Sequence, residues 1–157
     1  MSRTETAVGP RWLDDAEMAA WLPLVQLVYL LPQALDRQLR EEAGVSHVYY
    51  QILAMLSGAP EERLRMSELA ALTSTSTSRL SHAVAALEER GWVERSSCPT
   101  DRRGQLASLT EAGRRELERT APGHVAEVHR LVFDRLTPEQ VAQLRTLAST
   151  IAAALPD

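Results

Sequence analysis

The sequence contains no lysine, so every fixed positive charge among its 157 residues is an arginine. Its 17 arginines are outnumbered by 21 carboxylates, for a net charge of −4. A polyanionic partner would therefore have to be met by a local patch, because local charge sets the field that phosphates feel. Cysteine is nearly absent: the single Cys98 excludes an internal disulfide framework and suits a reducing cytoplasm. The N-terminus has no signal-peptide core, which also points to the cytoplasm. No apolar run is expected to span a membrane, since the most apolar stretch, residues 21–35, is interrupted by Pro23 and Pro32. There is no phosphate-cradling glycine loop, no nucleophile elbow and no HExxH-type metal pair, so the chain is not read as an enzyme. His124 and His129 are five apart, which does not put two ligands on one helical face, and no cysteine pair supports them. No metal or cofactor is expected.

What is present is a globular composition, 45% hydrophobic and 24% charged, at a length that suits one domain with a real core. Asp14 with Glu17 forms a capping-box signal, and Leu24, Val28, Leu31, Leu35 and Leu39 mark one face of a long helix that Pro32 should kink. Gly44 closes it. Ser46 caps a second helix with Tyr50, Leu53 and Leu56 inward, and residues 63–66 suit a short strand. Ser67 reads as the cap of a short helix carrying Leu69, Ala70 and Leu72 inward. A hydroxyl-rich turn, residues 73–78, leads to a helix from about Ser76 to Arg90 that buries Leu80, Ala83, Val84 and Leu87. Gly91 supplies its left-handed exit. Strands at residues 92–95 and 105–109 flank a turn at residues 99–104. Thr110 caps a helix expected to reach Leu136, with Pro122-Gly123 bending or breaking it. Thr137-Pro138-Glu139-Gln140 starts a last amphipathic helix.

Two short helices across a polar turn, then a hairpin with arginines near its tip, suit a unit that lays one helix in the major groove and reaches aside with a β-ribbon. The fold class expected is mainly α with a small β-wing. The long terminal helices carry apolar faces, including Leu13, Trp21, Leu131, Phe133, Leu147 and Ile151, that suggest an intermolecular core and a two-fold homodimer.

The chain resembles the multiple-antibiotic-resistance regulator (MarR) family of bacterial transcription factors over roughly residues 20–155. The resemblance rests on the helix exit Leu87-Glu88-x-x-Gly91-x-Val93 and on the wing, Asp101-x-Arg103 followed by Leu109-Thr110. It implies one MarR-like unit over residues 1–157. Residues 11–45 and 111–155 would supply the dimerisation helices, and residues 46–110 the winged helix-turn-helix. It further implies a homodimer on double-stranded DNA that represses or activates nearby genes, repression being the reading taken, often relieved by a small aromatic or phenolic effector. Ser76, Ser78, Arg79, Ser81 and His82 match the exposed part of the recognition helix, and Arg103 matches the wing arginine that enters the minor groove. Asp101 matches the acid that steadies that arginine. His82 departs from the arginine of many members, and Cys98 from their aspartate.

Thr77 shares the hydroxyl-rich run, whose side chains and helix-terminal N–H groups suit phosphate. Arg102 stands beside Arg103 at the hairpin tip. Arg79 can read guanine bidentately or hold a phosphate. Cys98, with proline beside it and no resolving cysteine, reads as an inert wing residue. The family's effector cleft lies between the dimerising helices and the winged unit, where Trp21, Tyr29, His47 and Tyr50 are expected. A winged-helix protein-interaction module without DNA binding is the competing reading, against which Arg79, Arg102 and Arg103 speak.

Overall fold

The computed structural model describes residues 10–98 and 101–155, with side chains throughout except at positions 101–103. Helix α1 (Asp15–Ala43) begins at a capping box in which the Asp14 side chain accepts from the Glu17 N–H and Glu17 returns the bond. It ends at Gly44, whose φ of 66° is the left-handed conformation that a side chain would strain. Ser46 caps α2 (His47–Ser57) by accepting from the Tyr49 N–H. Strand β1 (Arg63–Arg65) leads into α3 (Met66–Leu72), then α4 (Thr77–Glu89). The hairpin β2 (Val93–Cys98) and β3 (Asp101–Leu109) follows, with the sheet in the antiparallel order β1-β3-β2. Thr110 caps α5 (Glu111–Leu131), and a 3-10 turn at Phe133–Arg135 leads into α6 (Pro138–Ala152). The capping box at Thr137 and Gln140 is formed.

The core sits within the winged unit. Ile52, Leu53 and Leu56 of α2 meet Leu69 of α3, Leu80, Val84 and Leu87 of α4, and Val93, Ala107 and Leu109 of the sheet. A smaller cluster of Leu39, Val45 and Tyr50 joins this unit to the long helices. Gly113 fixes the wing's base against α5, because a Cβ there would lie 2.1 Å from the Trp92 carbonyl oxygen. Thr110 binds the same corner: its hydroxyl donates to the Gly91 carbonyl at 2.6 Å and its N–H to the Trp92 carbonyl at 3.0 Å.

Five local expectations are corrected. Helix α3 starts one residue before Ser67, with Arg65 in the cap position and its N–H donating to Glu68. The inward stripe is then Met66, Leu69, Ala70 and Thr73, at the i, i+3, i+4, i+7 positions of one helical face. Leu72 falls off that stripe and is exposed. Strand β3 begins at Asp101 rather than at Gln105, because the ladder continues past a register shift at Ser97/Cys98. The turn that joins the strands falls at positions 99 and 100, outside the described residues. Helix α5 runs unbroken through Pro122 and Gly123 and stops at Leu131, where Val132 leaves helical geometry. At Gly123 the helix passes close to α1, where a Cβ would lie 2.7 Å from Glu42 Oε2. Helix α1 likewise passes through Pro23 and Pro32, and is long and apolar enough, by length and composition, to cross a membrane. Proline interrupts the sequence pattern there without interrupting the helix.

Candidate nucleic-acid interface

The helix-turn-helix is built by hydroxyl chemistry. Buried Thr73 donates from its hydroxyl to the Leu69 carbonyl at 2.7 Å, closing the end of α3. Ser74 turns the chain at a φ of 48°, and the Thr75 N–H returns to the Ala70 carbonyl at 3.0 Å. Ser76 then caps α4, its hydroxyl accepting from the Arg79 N–H. Serine and threonine suit this path because their short side chains satisfy backbone groups that neither helix can.

Burial of Leu80, Ala83, Val84 and Leu87 fixes the rotation of α4. The opposite face presents Ser76, Thr77, Ser78, Arg79 and His82 to solvent, with Ser81 half-buried. Ser81 also donates to the Thr77 carbonyl at 2.9 Å, so it stays close to the helix. The cap Ser76 and the five α4 residues singled out from sequence therefore all lie off the helix's buried stripe. Asp101, Arg102 and Arg103 open β3; their side chains lie outside those described.

Two arginines of the same region are committed elsewhere. Glu88 accepts from the Arg95 backbone N–H at 2.9 Å and from its guanidinium Nε at 2.7 Å, tying α4 to the wing. Arg90 lies over the rings of Tyr49 and Trp92, 5.3 and 5.0 Å from their centroids. It sits at the far end of α4, about 16 Å from Arg79 at 1.5 Å per residue. Neither therefore adds a cation to the outward face beside Arg79. Cys98, at the end of β2, is buried and in no disulfide.

Between the start of α3, the first turns of α4 and β3 lies an open cleft of about 380 Å³. Arg65, Ser67, Thr77, Ser81 and Gln105 line it, and none of its described lining side chains is acidic. Arg65, Ser67 and Gln105 were missed in the sequence, where nothing local relates residues forty positions apart.

The four residues expected at an effector cleft separate into two places within the chain. His47 and Tyr50 meet His124 of α5, whose ring is 5.6 Å from His47 and 4.2 Å from Tyr50. Trp21 and Tyr29 are exposed farther along α1. Asp36, which accepts from the His47 N–H at 2.9 Å, is 15 residues from Trp21, or about 22 Å along a helix. Burial lowers the pKa of His47, partly offset by Asp36. Burial and then the neighbouring His47 lower that of His124, and burial raises that of Tyr50. Burial would raise Asp36, yet hydrogen bonds from His47 and Arg40 together with their charges hold it low. Buried Gln38 Oε1 and His124 Nδ1 have no hydrogen-bond partner among the described residues. No group of three or more His, Cys, Asp or Glu side chains among those residues could hold a metal ion.

Residues 43–104 match the model of the MarR family. A MarR family transcriptional regulator from Streptomyces coelicolor, solved in complex with DNA, is 50% identical with a TM-score of 0.89; the alignment covers 94% of this chain and 93% of that one. CouR from Rhodococcus jostii, solved bound to p-coumaroyl-CoA, is 26% identical with a TM-score of 0.75, covering 90% of this chain and 96% of that one. The multiple antibiotic resistance protein MarR of Escherichia coli is 27% identical over 133 residues, 83% of this chain and 91% of its own length.

Proposed function

This chain belongs to the MarR family and is a DNA-binding transcriptional regulator, and on that premise we propose that it is a homodimeric repressor reading a pseudo-palindromic operator. The observation that carries the reading is the outward face of α4, where Ser76, Thr77, Ser78, Arg79 and His82 stand exposed on a helix rotated by its buried leucines. In the proposed complex this face enters the major groove, and Arg79 meets a base edge or a phosphate. Ser81 supports the same face. Arg103, with Arg102 beside it and Asp101 steadying it, reaches the adjacent minor groove, where guanidinium suits the deep negative potential of a narrow groove. The half-chains 11–45 and 111–155 form the dimer, and 46–110 the reading head. Regulators of this kind act in the cytoplasm, and the apolar surface of α1 is covered by the second copy rather than by lipid.

The test is binding to selected duplexes. Arg79→Ala is expected to change the preferred base at one position in each half-site, at about 1–3 kcal/mol for a bidentate contact. Arg103→Ala is expected to lower the salt slope by roughly one unit with base preference kept. Parent-like discrimination and slope in both variants would remove these residues from the interface.

We further infer a small aromatic or carboxylate-bearing effector at the junction of α1, α2 and α5. Its support is the aromatic wall of His47, Tyr50 and His124 beside the unpartnered Gln38 Oε1 and His124 Nδ1. Trp21 and Tyr29 would belong to such a site only through the second copy. Titration of aromatic acids into the protein–DNA complex is expected to weaken binding, and Tyr50→Ala with His47→Ala to abolish that response. A response unchanged by both substitutions would sink the junction as the site.

A further inference from the structure

A helix in the major groove and a wing in the neighbouring minor groove are separated by one sugar-phosphate strand. That strand has to cross the surface between α4 and β3. In this chain the surface there is the cleft walled by Arg65 and Ser67 at the start of α3, Thr77 and Ser81 on α4, and Gln105 on β3. We propose that this cleft seats the intervening DNA backbone, with Arg65 as its phosphate-binding residue and Ser67 and Gln105 as supporting donors. The assignment rests on the reading of α4 and the wing given above.

Three observations point to phosphate rather than base. The cleft takes in Thr77 and Ser81 at the edge of the α4 face, and not Ser78, Arg79 or His82, which would meet base edges. Its lining offers a guanidinium, hydroxyls and an amide, the groups that bind phosphate oxygens. None of its described lining side chains is acidic, in a chain whose net charge is −4.

Arg65 is also held where a register-setting contact has to be. Its backbone pairs with Leu106 at the end of β1, and its N–H donates to Glu68 at 3.0 Å in the first turn of α3. One residue thus belongs to the sheet and to the helix-turn-helix together. A phosphate bound to it fixes the strand against both reading elements at once, so the contact positions the protein without selecting sequence.

The experiment combines a protein variant with a neutralised phosphate. The parent and Arg65→Gln are titrated with a selected duplex across a salt series, and with duplexes carrying one methylphosphonate between the half-site and the flanking minor groove. Arg65→Gln is expected to bind roughly tenfold more weakly, in line with a charge-assisted hydrogen bond. Its salt slope should fall by about one unit, equally on selected and unrelated duplexes. The parent is expected to lose affinity at one methylphosphonate position per half-site, and Arg65→Gln to lose nothing further there. Ser67→Ala and Gln105→Ala, both at exposed side chains, carry the same cycle with smaller losses should Arg65→Gln unfold. An Arg65→Gln protein with the parent's slope, or a methylphosphonate penalty that persists in it, overturns the saddle while leaving the reading of α4 intact. A parent that binds no duplex overturns both.

Discussion

Ser74 holds a backbone conformation that serine rarely adopts. Its φ of 48° lies in the left-handed region, where a Cβ crowds the following carbonyl at a cost of roughly 1–2 kcal/mol. The turn keeps the residue there because Thr73, Thr75 and Ser76 fix the chain on either side. Ser74→Gly should therefore stabilise the protein by about 0.5–1 kcal/mol, after the extra entropy glycine loses on folding. Thermal unfolding of the variant measures this directly; an unchanged or lower midpoint would mean the strain is relieved in some other way. The turn itself was legible from sequence, since its hydroxyls act on backbone groups within four residues. Arg90 was not. Its placement over Tyr49 and Trp92 depends on α2 and the wing meeting beside α4, so this cation lies on ring faces rather than on the reading surface.

Among the elements, α4 was readable nearly to the residue, because its cap, its buried spacing and its glycine exit are local signals. Helix α5 ends at Leu131 rather than Leu136, and Pro122 does not break it. Gly123 lies close to Gln38 and Glu42 of α1, a tertiary neighbourhood that leaves no local signal in the sequence. The junction site was hidden for the same reason, since nothing local relates His124 on α5 to His47 and Tyr50 on α2. Where α1, α2 and α5 meet, His47 and His124 face one another, with Tyr50 and Gln38 beside them and Asp36, Arg40 and Glu42 on α1. Both imidazoles have pKa values lowered by burial. The unfolded chain then binds more protons than the folded one once pH falls below about 6.5, the ordinary histidine value. Stability is thus fully present above that pH and declines as pH drops toward the folded-state values. Unfolding midpoints measured from pH 7.5 to 5 should fall, and His124→Gln should flatten the fall. A parent whose stability rises over that window would reverse the assignment.

At the scale of the whole molecule, the surface is the unfinished part of one chain. Of the 29 residues of α1 only Leu35, Gln38 and Leu39 are buried, and α6 buries none. Trp12, Leu22, Val28, Tyr29 and Leu147 are each more than 60% exposed. Large apolar side chains left exposed in such number along two helices mark an interface rather than a solvated surface. The sequence carried that message in its apolar helical spacing, and only the folded chain shows how little of it is covered from within. Leu147→Glu should place a charge in the buried dimer seam, yielding a monomer by sedimentation and roughly a hundredfold weaker operator binding, since each head would then bind alone. A dimer of parent affinity would show that α6 lies outside the seam.

The central claim is that two such heads, held by the terminal helices, read one duplex together. Selection of bound sequences from random duplex DNA tests it most directly, because one readout reports binding, symmetry and spacing. The account predicts an enriched inverted repeat whose half-site centres lie about one helical turn apart, on the order of 10 bp. Enrichment of a single unrepeated half-site, or of no sequence at all, would contradict it.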